Sequence, residues 1–414
     1  MISIFALLSI LVTLGALFSL LSFRVLRLPT TIGTMVLSLS TAALLILVGQ
    51  RAPVLHLLAE RLVGEIDFNQ VVLHGMLAFL LFAAALQLDL EQLTKQRVPV
   101  LILSIVSTSL STVLVALLFR WSLHQVQMEV SVASALLFGA LISPTDPIAV
   151  LDMLRRANAP PELEVQLAGE SLLNDGVGAV IFLALLGASG SGGLPSASVF
   201  GGLLLLKAGG GILLGVGLGY LTYRTLLLVN NYGIEVMLTL ALAMGGYALA
   251  DALNLSAPLE VVAAGLLVNG RGRRLAMSDV TREHVERFWE LTDDLLNVVL
   301  FLLLGLQILV IPFTRTYVVA GLLAIPVVLI SRLLSVGSCV RVLGLFRRII
   351  PGSIVVLTWG GLRGGLSVAL ALSLPQGHGL ERNLLLVTTF VVVVFSIVVQ
   401  GLTLPRVMRA VNPS

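Results

Sequence analysis

Runs of about twenty apolar residues recur about thirteen times along this chain, with short polar connections between them, and that recurrence fixes the solvent in which it folds. Twenty helical residues rise about 30 Å, the thickness of a bilayer's hydrocarbon core, so each run can cross it as a helix. With 57% hydrophobic and 11% charged residues the chain lies far from an ordinary soluble domain, where about a quarter of residues are charged. An all-α polytopic membrane protein is expected. The spans are placed near Ile4 to Leu21, Thr30 to Val48, Phe68 to Leu88, Val98 to Trp121, Val130 to Met153, Leu163 to Leu186 and Val199 to Leu228. The remaining six are placed near Gly233 to Ala250, Ala257 to Val268, Leu291 to Pro312, Tyr317 to Val342, Ser353 to Leu374 and Leu384 to Val407. The first lacks a basic leader and a small-residue cleavage site, so it reads as a span and not as a signal peptide.

Charge placement orients these helices. Lys95, Arg97, Arg155, Arg156, Arg224, Arg271, Arg273, Arg274 and most other loop cations fall on one face, whereas the other receives only Arg51, Arg61, Arg120, Arg315 and Arg382. The positive-inside rule makes the first face cytoplasmic, with the N-terminus outside and the C-terminus inside. The glycine-rich stretch from Gly187 to Gly193, followed by Pro195, reads as a linker after the sixth helix. Six helices on either side of a seventh enter the membrane from opposite sides, which is the arrangement of inverted repeats. The expected division within one membrane domain, 1–414, is a first repeat over 1–190, a linker helix over 191–230 and a second repeat over 231–414. The net charge of +3 is spread over these loops and implies no nucleic-acid partner, and the single cysteine, Cys339, allows neither a disulfide framework nor a cysteine metal site.

Two apolar segments carry acids where lipid disfavours them: Ser143-Pro144-Thr145-Asp146-Pro147 and Gly169-Glu170-Ser171-Leu172-Leu173-Asn174-Asp175. A carboxylate at the bilayer centre costs roughly 3 kcal/mol on insertion scales, so such groups face a polar cavity or each other. Pro144 and Pro147 each remove a backbone donor and clash with the preceding turn, so the fifth helix should break there. In the twelfth span Thr358-Trp359-Gly360-Gly361-Leu362-Arg363-Gly364-Gly365 packs four glycines into eight residues and predicts a second break. Interrupted helices expose carbonyls that bind cations and dipole ends that need compensation, which Arg363 at one break and Asp146 at the other are placed to supply.

On the sixth helix Ser171 and Asp175 share one face, as do Glu170 and Asn174. Asp146, Asp175, the Ser171 hydroxyl and the Thr145 carbonyl offer four oxygens to a hard monovalent cation, and nothing here suits a soft metal. Glu170 reads instead as the partner of a buried arginine, Arg332 or Arg363. Asp293, Asp294, Glu235 and Glu260 are read as acids that complement helix starts.

These motifs resemble those of the monovalent cation:proton antiporters, in particular the NhaP/NHE-type sodium/proton exchangers. The resemblance rests on Ser143 to Val150, Gly169 to Asp175, Arg332 and Trp359 to Gly364, in the family's order over most of the chain. It implies a thirteen-helix inverted-repeat fold with discontinuous fifth and twelfth helices, a homodimer, and exchange by elevator-like movement of a transport domain. It also implies Asp175 as the shared cation and proton site, with Asp146, Ser171 and the Thr145 backbone as further sodium ligands, and Glu170 with Arg332 as a structural ion pair. The Asn174-Asp175 pair is similar to the electroneutral branch. One departure stands in the third span, where similar prokaryotic exchangers carry a glutamate and this chain carries Gln87.

The implied activity is exchange of sodium or lithium for protons at the cell membrane, with no cofactor and no covalent chemistry. Potassium/proton exchange is the nearest alternative and a passive cation channel the next, since breaks and carboxylates also build pores. A membrane enzyme is the least favoured reading: the Gly-x-Gly-Asp string of intramembrane aspartyl proteases and the His-Glu-x-x-His zinc motif are both absent.

Overall fold

The computed structural model describes residues 4–49, 60, 63–64, 66–156, 159–190, 197–347, 350–375 and 381–411. In chain order the helices are α1 (Ile4–Leu21), α2 (Thr30–Gly49), α3 (Gln70–Gln87), α4 (Leu90–Lys95), α5 (Arg97–Gln125), α6 (Val132–Ile142), α7 (Ile148–Arg156) and α8 (Pro161–Gly190). They continue as α9 (Ala197–Leu226), α10 (Tyr232–Ala252), α11 (Ala257–Leu267), α12 (Asp279–Leu306), α13 (Arg315–Gly344), α14 (Ser353–Trp359), α15 (Gly365–Leu372) and α16 (Arg382–Val411). Among the described residues ten helices are long and apolar enough to cross a membrane; the expected fifth, ninth and twelfth spans are the shorter or broken ones. Gly187 to Gly190 continue α8, while the rest of the expected linker, and Arg51 and Arg61, lie outside the described residues.

Helix starts follow capping chemistry. Ser131, Asn231, Ser256, Ser278 and Thr314 each accept backbone N–H groups at the first turn of α6, α10, α11, α12 and α13. The start of α12 corrects the sequence boundary. The hydropathic pattern opens the tenth span at Leu291, but the helix begins twelve residues earlier at Asp279, capped by Ser278, and a charged stretch, Asp279 to Glu290, forms its first turns with Arg282–Asp279 and Arg287–Glu283 ion pairs. Asp293 and Asp294 therefore lie far inside the helix and compensate no dipole end.

Side chains pack into two apolar bodies. One is built from α5 to α8 and α13 to α16 with faces of α2 and the end of α12; the other joins α3, α10, α11 and the first half of α12. In the second, Trp289 is fully buried, donates from Nε1 to Thr239 at 3.0 Å and packs at a tilt against Phe82 at 4.7 Å between centroids, locking α12 to α10 and α3. Helices α9 and α11 meet through small residues. Gly211, Gly215 and Gly219 face Ser256, Glu260 and Ala264, and a Cβ on any of them would collide with or crowd that backbone.

The two predicted breaks are present and they cross. α6 ends at Ile142 and α7 begins at Ile148; α14 ends at Trp359 and α15 begins at Gly365. Between them the Asp146 N–H donates to the Leu362 carbonyl at 2.8 Å, an isolated antiparallel bridge that satisfies backbone groups lipid would leave bare. A π turn over Ser396–Gln400 in α16 supports the crossing: Ser396 Oγ accepts the Arg363 N–H at 3.0 Å and Gln400 donates to the Trp359 carbonyl at 3.0 Å.

Candidate functional site

The crossing sorts charge by helix polarity. Arg363 is fully buried and donates from one guanidinium nitrogen to the carbonyls of Ser143 and Pro144, the latter at 2.9 Å, at the C-terminal, negative end of α6. Asp146 lies at the opposite pole. Its Oδ1 accepts the Ile148 N–H at 3.0 Å at the start of α7, and its side chain packs against Gly364 at the start of α15 so closely that a Cβ there would collide with it. A carboxylate thus sits at two positive helix ends and a guanidinium at a negative one.

Asn174 fixes the broken segment from α8. Its Oδ1 accepts the Thr145 N–H at 3.1 Å and its Nδ2 donates to the Thr145 hydroxyl at 2.9 Å, while that hydroxyl also pairs with Ser171 at 2.9 Å. Ser171 and Asn174 are buried behind the break, so the Ser171 hydroxyl, read from sequence as a cation ligand, is engaged by Thr145 in this state. One helical turn on, Asp175 is free of that network and faces a cavity of about 340 Å³. The same cavity is lined by Asp146, Thr145 and Gln87, so four of the sequence-derived site residues share one space. Asp175 and Asp146 are close enough for their charges to interact.

The cavity occupies the seam between the two apolar bodies. One wall comes from α3 and α12, the other from the α6–α7 break, α8 and the start of α15. It runs from the crossing toward Asp89, Glu164 and Glu290, which belong to the end bearing the basic loops. Asp89 caps α4 by accepting the N–H groups of Glu91 and Gln92 at 2.9 and 3.1 Å, so its carboxylate is engaged in holding the start of α4. Among the described residues seven carboxylates line the cavity, Asp89, Asp146, Glu164, Asp175, Glu290, Asp293 and Asp294, and no Lys, Arg or His does. Sequence reasoning missed the last three because it placed the start of α12 too late; their signal is the i, i+3, i+4, i+7 series Glu290, Asp293, Asp294, Asn297, which puts all four on one helical face.

Glu170, on the far side of α8 from the cavity, pairs with Arg332 of α13 at 2.5 Å, and both side chains are buried. Arg332 also donates to the Leu357 carbonyl at 3.2 Å, tying α13 to α14 just before the second break. Arg363 lies within electrostatic range of both charges. Of the two arginines that the sequence offers Glu170, Arg332 is the one in contact.

The arrangement provides two carboxylates at the meeting point of interrupted helices, reached through an acidic cavity and backed by a neutral hydrogen-bond network. It offers oxygen to a hard cation and a carboxylate to a proton.

Comparison with known proteins agrees with this chemistry. The family model for the transmembrane sodium/hydrogen exchanger matches residues 7–410. The Na(+)/H(+) antiporter NhaP of Pseudomonas aeruginosa is 42% identical over 409 residues, covering 97% of this chain and 95% of its own. The Na(+)/H(+) antiporter NhaH of Halobacillus dabanensis is 34% identical over 361 residues, with 85% and 86% covered. In fold, the chain is similar to the sodium proton antiporter MjNhaP1 of Methanocaldococcus jannaschii at pH 8, with a TM-score of 0.76, 19% identity, and 98% of this chain and 97% of that one covered. By the extent of these matches and the residues that carry them, the chain belongs to the sodium/hydrogen exchanger family.

Proposed function

We propose that this protein is a secondary antiporter that exchanges sodium for protons across the cell membrane, with Asp175 as the shared site and Asp146 and the Thr145 carbonyl as supporting oxygens. The observation that carries the reading is that Asp175 and Asp146 face one acidic cavity at the crossing of the α6–α7 and α14–α15 breaks. The names of the Pseudomonas and Halobacillus relatives support the same ion pair of substrates. With one exchanging carboxylate the cycle is one sodium for one proton and electroneutral. Asn174, committed to Thr145 through both amide atoms, supports this because it adds no second titrating charge beside Asp175.

The cycle follows from the cost of buried charge. Asp175 filled by a cation or a proton is neutral and crosses as the site reorients; an empty carboxylate does not, which couples the two fluxes. The seam between the two apolar bodies is the plane along which this alternating access takes place, and the cavity, opening toward the basic loops, corresponds to the cytoplasm-facing state. The 1–190 and 231–414 repeats, each contributing one broken helix to the crossing, are the units that the linker helix joins. The family resemblance adds a homodimer, for which the mass of the purified protein is the test.

The deciding experiment places purified protein in liposomes with an imposed pH gradient and adds sodium, lithium or potassium, with and without a voltage clamp. Sodium-dependent proton movement that ignores voltage is the expected result. Response to potassium alone reassigns the substrate, and cation flux with no proton movement replaces the antiporter by a channel.

A further inference from the structure

The cavity wall opposite Asp175 carries its own oxygen cluster. Asp293 of α12 accepts a hydrogen bond from Asn297 Nδ2 at 3.1 Å, one turn further along the same helix, and Gln87 of α3 lines the same cavity close enough to influence that carboxylate. Asn297 is 1% exposed, and its Oδ1 is buried with no hydrogen-bond partner among the described residues. An acceptor in that condition costs about 1–3 kcal/mol. Here it lies beside a carboxylate, on a wall with no cationic side chain among the described residues; water can donate to both groups, but only a cation from outside the chain satisfies both and also offsets the charge. A carboxylate and two amide carbonyls, which Asn297 and Gln87 provide, suit a hard monovalent ion.

We propose that Asp293, Asn297 and Gln87 form a second monovalent-cation site, a waiting position on the α3–α12 wall from which sodium passes to Asp175. The proposal rests on the antiport reading only for the direction of that passage. Asp293 lies near enough to Asp146 for their charges to interact, so a cation at the waiting site weakens the hold of the inner pair on its own cation and shortens each transfer. It also raises the local sodium concentration at the inner site, as acidic clefts do for cationic substrates. The site belongs to α12 and α3, on the wall that faces the broken helices, so it stays in place when the inner site moves.

The test has a binding arm and a transport arm. Thallous ion, a heavy monovalent cation, is added to purified protein and located by its scattering in wild type, Asp175→Asn, Asp293→Asn and the double variant. Density beside Asp293 that survives Asp175→Asn and disappears in both Asp293 variants supports the site; density confined to Asp175 and Asp146 overturns it. In proteoliposomes Asp293→Asn is expected to raise the sodium KM about tenfold with kcat within about twofold, and Asp293→Glu to recover most of that loss. An unchanged KM in Asp293→Asn counts against the site. Gln87→Leu, at an exposed position, carries the same test if Asp293→Asn does not fold: a smaller rise of about threefold supports the site, and no rise removes Gln87 and the proposal with it. Sodium/proton exchange persisting in Asp175→Asn refutes Asp175 as the shared site instead, cation flux with no proton movement in wild type refutes the antiport reading, and either leaves the thallium result to decide the second site independently.

Discussion

Glu170→Gln should destabilise this protein more than removal of its partner's charge by Arg332→Met does, and the surroundings give the size and the sign of the asymmetry. Glu170 is the counter-charge to Arg332 at 2.5 Å, with side-chain exposures of 0% and 2%. Removing one member of a buried pair typically costs about 3–5 kcal/mol, because the other is left charged and dry. Here the cost is at the upper end of about 3–5 kcal/mol, since neutralising Glu170 leaves Arg332 and Arg363, which sense each other electrostatically, with no nearby anion. Arg332→Met is the milder change: Glu170 then retains Arg363 within range, and the Leu357 carbonyl loses one donor. The double variant Glu170→Leu with Arg332→Met removes both charges and should recover most of the loss, as replacement of whole buried pairs by apolar residues does. Thermal unfolding in detergent, followed by tryptophan fluorescence, reads the series; Glu170→Gln is expected to fall by roughly 5–10 °C. Equal melting of wild type and Glu170→Gln, or a double variant no better than Glu170→Gln, would falsify the pair as a structural element. Loss of sodium binding in a Glu170→Gln protein of unchanged stability would move it into the ion pathway instead.

Further outcomes follow from contacts in the same region. Asp175→Asn should abolish sodium-dependent proton movement in liposomes while Asn174→Asp keeps part of it, because an aspartate at 174 still accepts the Thr145 N–H, and the Thr145 hydroxyl can turn to donate to it where Asn174 had donated; normal exchange by Asp175→Asn sinks the assignment. Gly364→Ala places a methyl against the Asp146 carboxylate and should raise the sodium KM at least about tenfold, whereas Gly245→Ala, with open space around its Cβ, should leave it unchanged; equal KM values for the two would show that Asp146 tolerates displacement. Arg363→Ala leaves the Ser143 and Pro144 carbonyls without their donor at about 1–3 kcal/mol each, and its melting point should fall below that of Arg363→Lys, which keeps a charge but not the planar fork.

Much of this was legible in the chain because the signals are local. Proline at 144 and 147 and glycine at 360, 361, 364 and 365 break helices by backbone chemistry alone, so both interruptions were visible, and the cost of acids in lipid marked Asp146 and Asp175. The crossing was not visible, since the Asp146–Leu362 bridge joins segments far apart in sequence. Ser171 illustrates a different limit: its face of the helix is predictable, but whether its hydroxyl meets an ion or Thr145 depends on where a neighbouring helix ends. Asp293 was misread for a hydropathic reason. The polar turns from Asp279 to Glu290 lower the average below that of a span, so the helix looked as though it began beside Asp293.

The bridge between Asp146 and Leu362 has a consequence for synthesis. Chains are made at about 5–20 residues per second, and roughly 200 residues separate the two halves of the bridge, so the first break waits about 10–40 s for its partner. During that interval the Asp146 N–H lacks its acceptor and the carbonyls that Arg363 will take lack their donor, so both must stay wet or be sheltered by the insertion machinery. A ribosome stalled before codon 363 would therefore leave an unfinished exchanger whose first repeat cannot settle in lipid, and quality control that recognises unpaired polar backbone inside the membrane has its target there.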